Sequence, residues 1–407
     1  MKTNIHTDKF SNILSQEETK LANTILRTCV HCGFCNATCP TYQIIGDEND
    51  GPRGRIYLIK KMLEGEEVSA STRTHLDRCL TCRNCETTCP SGVKYAQLLD
   101  IGRKVIEHQQ PRDFKEKATR KLLRSILPHP KLFSALLKTG KILKPFLPAK
   151  IKKKIPRSIA KGKRPISRHK RKMIILEGCV QPSISPDINQ ATARVLHKLG
   201  ISLVKPKGAG CCGAVNQHLS AETEALGNMK RNIDSWWTSI ESGIEAIVIT
   251  ASGCGSMVKE YGHYLSDDPD YAEKAQRVSE LCKDISEILI KEDLSLLGKP
   301  KHSQKVSWHP PCTLQHGQKI NGVVEQILAQ CGYKLPMIKD QHLCCGSAGT
   351  YSILQPVIST QLQINKITAL IESNPDTIVT ANIGCQTHLQ EATKVPVIHW
   401  IHLLDNK

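Results

Sequence analysis

The chain has 407 residues, 40% of them apolar, eighteen cysteines and a formal charge of +18. This length and apolar content exclude a disordered chain and suggest two to four folded units. No run approaches the ~20 uncharged apolar residues that span a bilayer, and Met1-Lys2-Thr3-Asn4-Ile5-His6 leads into polar sequence, so a cytosolic protein is expected. In that setting a long chain that twice places two cysteines side by side suggests metal ligation rather than a disulfide scaffold.

Residues 1–110 are dominated by Cys29-Val30-His31-Cys32-Gly33-Phe34-Cys35-Asn36-Ala37-Thr38-Cys39-Pro40 and Cys79-Leu80-Thr81-Cys82-Arg83-Asn84-Cys85-Glu86-Thr87-Thr88-Cys89-Pro90. Each reads C-x2-C-x2-C-x3-C-P. Three thiolates so spaced wrap one corner of a cubane, and the fourth, placed before proline, ligates the other cluster in two-cluster ferredoxins. Two 4Fe-4S clusters are therefore expected, one on Cys29, Cys32, Cys35 and Cys89, the other on Cys79, Cys82, Cys85 and Cys39. Zinc ribbons also use C-x2-C pairs, but with two ligands per knuckle and not four ending in proline. Apolar spacing predicts helices over Gly54–Leu63 and Thr72–Arg78, hence a helical ferredoxin domain.

Residues 111–171 read as a helical, strongly basic linker. From Lys141 to Lys172 there are fourteen Lys and Arg and no Asp or Glu. The segment is expected to be a solvated arm, with a sharper reading as a contact for anionic lipid of the inner membrane. Nucleic acid is disfavoured, because no interleaved aromatics or reading module accompany the charge.

From residue 172 the pattern alternates: strand Met173–Leu176, helix Ala191–Leu199, strand Ile201–Val204, helix Met229–Ile240, strand Ala246–Thr250. It recurs as strand Val306–Trp308, helix Val323–Ala329, strand Lys334–Met337, helix Leu362–Ile371 and strand Thr377–Thr380. A duplicated α/β module with parallel strands follows, over residues 172–299 and 300–407. Cys179 precedes Cys211-Cys212-Gly213 by 32 positions, and Cys312 precedes Cys344-Cys345-Gly346 by 32. Cys254 and Cys385 close the copies, so each half offers four thiols just past strand ends, where parallel sheets gather ligand loops. A further cluster, zinc, or redox-active thiols all fit this arrangement.

Gly208-Ala209-Gly210-Cys211-Cys212-Gly213 matches the dinucleotide pattern G-x-G-x-x-G, but the second copy has Gln341-His342-Leu343 in place of the leading glycines. The shared feature is the cysteine pair, and no flavin or nicotinamide site is expected in this chain. Cys282 is predicted within a helix over Val278–Leu289 and Cys331 at a helix end, both as core residues. His309, near Cys312, and His388, three residues after Cys385, are candidate extra ligands, but a lone histidine is more often a hydrogen-bonded loop residue and both are read so. No paired carboxylates or Ser-His-Asp arrangement marks a catalytic residue.

Together these residues resemble the iron-sulfur subunits of bacterial glycolate oxidases. A wider similar group includes lactate-utilisation iron-sulfur proteins, the iron-sulfur protein of anaerobic glycerol-3-phosphate dehydrogenase, and heterodisulfide reductases. The blocks Asp50-Gly51-Pro52-Arg53-Gly54-Arg55, Thr250-Ala251-Ser252-Gly253-Cys254-Gly255 and Leu343-Cys344-Cys345-Gly346-Ser347-Ala348-Gly349-Thr350 carry the glycolate likeness. The resemblance implies an α+β multidomain chain that passes electrons from an FAD-binding partner subunit, which oxidises glycolate to glyoxylate, to a quinone or other acceptor. The expected location is the cytoplasm, with the basic run read as a peripheral contact on the cytoplasmic face of the inner membrane. The chain departs from heterodisulfide reductase modules, which end in Cys-x-x-Cys, because Met257 and His388 stand at the fourth positions. Two other readings remain open: a subunit of a D-lactate or other 2-hydroxy-acid oxidase, and a heterodisulfide-reductase-like thiol/disulfide redox enzyme.

Overall fold

In the first unit, Ser15 starts the helix Gln16–Thr28 with a reciprocal cap: its backbone N–H donates to Glu18 at 2.8 Å while its hydroxyl accepts the Glu18 N–H at 3.1 Å. The computed structural model describes residues 3–5, 7–146, 148, 156, 159–166, 168–298 and 304–405. These fall into two units, residues 1–121 with 342–363, and residues 122–341 with 364–407.

The first unit is helical around its cysteines. Helices Gln16–Thr28, Pro52–Leu63, Ala70–Asp77 and Tyr95–Gln109 bury Ile25, Leu26, Ile59, Leu63, Leu76, Leu98 and Val105 in one core. Their apolar residues recur at helical spacing, so each helix has one face to bury. Arg112 links two of these helices, with Asp77 3.0 Å from its Nη2 and Glu107 2.8 Å from its Nε.

The second unit holds two wholly parallel sheets. Strands β1 (Arg171–Ile175), β2 (Ile201–Val204), β3 (Ile247–Ile249) and β4 (Cys282–Asp284) lie in the order β2-β1-β3-β4. Strands β5 (Val306–His309), β6 (Thr377–Thr380) and β7 (Val397–His399) lie in the order β5-β6-β7. The expected strands at 173–176, 201–204, 246–250, 306–308 and 377–380 are all present. Lys334–Met337 is irregular instead, with Met337 fully exposed. The predicted helix over 278–289 is divided by β4, so Cys282 lies on a buried strand. Helical spacing on both sides hid a three-residue strand whose fit is decided by β3 beside it.

One core joins both sheets, with Met173, Ile188, Val248, Trp308, Val379 and Trp400 packed together. His399 ties the two: its Nδ1 accepts from Ile401 N–H at 3.2 Å, so Nε2 carries the proton given to the Thr250 carbonyl at 2.8 Å. Burial, then neighbouring His402, lowers its pKa to about 3. An unfolded histidine titrates near 6.5, so unfolding takes up a proton below that pH, and the stability held by neutral His399 is lost as pH falls from 6.5 toward 3. Urea unfolding at pH 7.5 and pH 5 should show a loss of about 2 kcal/mol that His399→Asn abolishes.

Of the basic run, positions 147, 149–155, 157, 158 and 167 lie outside the described residues. Its C-terminal part is anchored rather than wholly solvated. Gly162 N–H donates to Asp187 at 3.0 Å, Arg164 to the Leu203 carbonyl at 2.6 Å, and Arg171 to Glu245 and Glu292 at 2.8 Å. Among the described residues no helix is long and apolar enough to cross a membrane.

Candidate metal centres

The eight N-terminal cysteines sort into two cavities in the crossed pattern. One is lined by Cys29, Cys32, Cys35 and Cys89, the other by Cys39, Cys79, Cys82 and Cys85; Cys85 also touches the first. None of the eighteen cysteines is joined in a disulfide. Burial, and then the charge of Cys29, pushes the Cys35 thiol up to about 11, and burial likewise raises Cys29. Loading such a site releases protons, because a metal takes the thiolate.

The backbone is shaped for a cluster as well. His31 (φ 58°) and Gly33 (φ 85°) in the first run match Thr81 (φ 53°) and Arg83 (φ 61°) in the second. A left-handed residue beside a right-handed one turns successive N–H groups into a concavity that suits an anionic cluster. Three of these four positions carry side chains at a cost of about 1–2 kcal/mol each, which points to a required local geometry. One such N–H, that of Thr81, donates to Cys79 Sγ at 3.4 Å. Donor set, cavities and backbone therefore fit two 4Fe-4S clusters.

The cavity lined by the second run has a buried cation. Arg55 is 1% exposed and donates to the His75 carbonyl at 2.7 Å and to Thr41 Oγ1 at 3.1 Å; Asp50, itself fully buried, lies 3.4 Å away. Burial alone would lower the Arg55 pKa, but the negative charge of Cys79, Tyr95, Cys39 and Asp50 outweighs it and holds it above its ordinary value. Asp50 is completed by Arg78 at 2.8 Å and His75 Nδ1 at 3.2 Å. Tyr95 donates to Cys79 Sγ at 3.5 Å, and Thr41 Oγ1 lies 3.2 Å from Cys39 Sγ. The Asp50–Arg55 block builds this corner. A Cβ on Gly54 would stand 2.1 Å from the Glu48 carbonyl oxygen, and Pro52 opens the helix that carries Arg55.

In the first C-terminal half, Cys179 follows β1, Cys211 and Cys212 follow β2, and Cys254 follows β3. Their sulfurs form a continuous chain of contacts, Cys179–Cys211–Cys212–Cys254. Hydrogen bonds from Cys179 and Cys212 and from Gly213 N–H, with Arg231 nearby, hold the Cys211 thiol well below its ordinary range against the effect of burial. Asn232 fixes the loop by donating to the Cys211 carbonyl at 2.9 Å, and Tyr261 donates to the Cys212 carbonyl at 2.8 Å. The apparent phosphate cradle is thus occupied internally, since Gly210 N–H donates to Asn232 and Gly213 N–H to Cys211 Sγ.

The second half is assembled differently. Cys344 and Cys345 are buried in a segment that belongs to the first unit, and among the described residues of that segment there is no strand ahead of them. In that unit Tyr351 donates to the Arg78 carbonyl at 2.9 Å and Asn84 to the His342 carbonyl at 3.2 Å. Burial, then the charge of Cys79 and more weakly of Cys344, raises the Tyr351 phenol. Cys312 and Cys385 lie in the second unit, past β5 and β6.

The two Cys-Cys-Gly glycines explain themselves. Gly213 has φ 94° and a Cβ there would stand 3.1 Å from the Ala225 carbonyl oxygen; Gly346 has φ 90° and a Cβ 2.5 Å from that of Ser359. Gly346→Ala should cost about 2–3 kcal/mol and Gly213→Ala roughly half that, measurable as shifts in urea midpoint.

The sequence names Arg55 only within the Asp50–Arg55 block and gives it no role, and Tyr95, Asn232 and Tyr261 are ordinary helical residues until their neighbours are known. His309 does not fit the hydrogen-bonded loop reading. It ends β5, is 1% exposed, and neither ring nitrogen has a hydrogen-bond partner among the described residues. Burial, then the charges of Lys366 and His388, push its imidazole pKa well below the ordinary value.

Residues 25–93 match the 4Fe-4S dicluster domain family, and residues 173–259 and 306–390 each match the Cysteine-rich domain family. The chain is 55% identical over 385 residues to the glycolate oxidase iron-sulfur subunit of Escherichia coli K12, covering 94% of each. It is 30% identical to the probable glycolate oxidase iron-sulfur subunit of Bacillus subtilis 168, over 88% of this chain and 87% of that one. Lactate utilization protein A of Bacillus velezensis is 26% identical over 58% of this chain and its own full length. A crystal structure of a hypothetical protein from Helicobacter pylori superposes with TM-score 0.51 at 10% identity, over 98% of this chain and 74% of that one, which is a likeness of fold. With two 4Fe-4S motifs ahead of two cysteine-rich modules and this near-complete match, the chain belongs to the family of glycolate oxidase iron-sulfur subunits.

Proposed function

We propose that this chain is the electron-exit subunit of a glycolate-oxidising complex, taking electrons from a partner flavin subunit and delivering them to a quinone or other acceptor. The observation that carries it is the pair of cavities with crossed cysteine sets, Cys29, Cys32, Cys35 and Cys89 beside Cys39, Cys79, Cys82 and Cys85. When bound, a 4Fe-4S cluster exchanges one electron at a time, which suits the exit path from a two-electron flavin. The chain's own part is to fix the potentials. Arg55 sets positive charge beside Cys39 and Cys79, and the donors Tyr95 and Thr81 aim at Cys79 Sγ.

In this reading residues 1–110 are the cluster domain, 111–171 the linker, and 172–299 and 300–407 the modules. Cys179, Cys211, Cys212 and Cys254, and in the second module Cys312, Cys344, Cys345 and Cys385, supply further metal or cluster ligands. The complex works in the cytoplasm, with the basic run meeting the anionic inner membrane.

The test is anaerobic purification of the tagged chain from its own cell with its co-purifying proteins, followed by glycolate addition. Rapid bleaching of the iron-sulfur absorbance that requires a co-purifying flavoprotein supports the proposal. Bleaching by D-lactate but not glycolate would move the substrate. A second reading, thiol/disulfide exchange at the first module, draws on the lowered Cys211 thiol between Cys179 and Cys212; disulfide reduction by the isolated chain would favour it.

A further inference from the structure

We propose that His309 and Cys385 are two ligands of one imidazole–thiolate metal centre at the C-terminal edge of the second sheet. This rests on the reading that the second module's cysteines hold a metal, and adds a ligand that the cysteine pattern does not contain. β5 and β6 are neighbours in register, His309 opposite Thr380, so both chain exits leave the sheet on the same side. Cys385 lies in the first turn of the helix Ile383–Ala392 that follows β6, and Cys312 stands three residues beyond His309.

Three observations converge. A ring nitrogen of His309 and the sulfur of Cys385 lie within 4.8 Å of one another, with both residues buried. Two donors on a single tetrahedral ion stand about 3.6 Å apart, so a small side-chain rotation closes the pair on a metal. Neither His309 nitrogen has a hydrogen-bond partner among the described residues, and Thr380 Oγ1 and Gln386 Oε1 at the same strand and helix ends have none either. A histidine serving only the core satisfies its ring nitrogens, as His399 does on β7. Finally, Asn382 donates its amide to Cys385 Sγ at 3.6 Å, the kind of outer contact that orients a thiolate ligand.

The donor chemistry restricts the occupant. A neutral imidazole with a thiolate takes a borderline ion, zinc or an iron of an iron-sulfur cluster, and not magnesium or calcium, which take oxygen ligands. Histidine in place of a thiolate also makes a site less negative and raises the potential of a bound iron centre.

The experiment compares the full-length chain, purified anaerobically with its clusters, with its His309→Gln, His309→Cys and Cys385→Ser variants. Zinc and iron are counted per chain. Nitrogen ligation is read by X-ray absorption at the zinc edge or by pulsed EPR of the reduced iron centre. The proposal expects metal beyond the two N-terminal clusters, a nitrogen signal lost in His309→Gln, and metal without the nitrogen signal in His309→Cys. Unchanged visible absorbance of the N-terminal clusters and unchanged near-ultraviolet dichroism serve as the folding control. Metal content and nitrogen signal unaltered in His309→Gln would overturn it. Loss of the metal in Cys385→Ser alone would overturn the histidine and leave the cysteine reading standing, whereas no metal beyond the two clusters in the unaltered chain would overturn both.

Discussion

Replacing Cys39 by serine should remove the cluster of the second cysteine run and leave that of the first run intact. Cys39 belongs by sequence to the first run, but it lines the cavity of Cys79, Cys82 and Cys85. The reduced variant should give the EPR spectrum of Cys82→Ser and not that of Cys32→Ser, with the iron of one cluster lost. Cys89→Ser should give the converse. Glycolate-driven electron flow through the complex should fall at least about 100-fold, since loss of even an outer partner costs a metal site 10–100-fold. A Cys39→Ser spectrum matching Cys32→Ser would assign each run its own cluster and refute the crossing.

Arg55→Met should lower the potential of the same cluster and destabilise the first unit. Reduction adds negative charge to a centre beside Cys39 and Cys79, and the Arg55 guanidinium is a fixed positive charge at that place. A unit charge 5–10 Å away at an effective dielectric constant near 20 is worth roughly 2–3 kcal/mol, on the order of 100 mV for one electron. Asp50 would keep Arg78 and His75 but lose its fully buried partner, a break that costs about 3–5 kcal/mol. Arg55→Lys retains the charge but loses the fork to His75 and Thr41. It should therefore keep the potential within a few tens of mV while still losing stability. Redox titration followed by EPR separates the effects, and equal potentials in Arg55→Met and the unaltered protein would refute the electrostatic role.

Much of the fold is legible where a pattern is local. The Cys-x2-Cys-x2-Cys spacing dictates a tight wrap that recurs as left-handed residues at matching positions, His31 with Thr81 and Gly33 with Arg83. Strands rich in β-branched residues, such as Ile247–Ile249 and Thr377–Thr380, form where expected because both faces are covered. Lys334–Met337 reads equally well as a strand but stays irregular, because nothing in its own residues reveals whether a neighbouring strand is present to pair with it. Cys282 shows the reverse error, a strand hidden inside helical periodicity.

The sequence by itself determined the cluster class, the eight thiols and the duplication, because ligand spacing and repeat length are properties of the chain read in order. Only the tertiary structure decided which positions surround those thiols. Arg55 and Tyr95 approach Cys79 from separate helices, and His309 meets Cys385 across two strands more than seventy residues apart in the chain. Electrostatics and metal ligation depend on distance in space, and a residue whose partners arrive from elsewhere carries no local mark of its role.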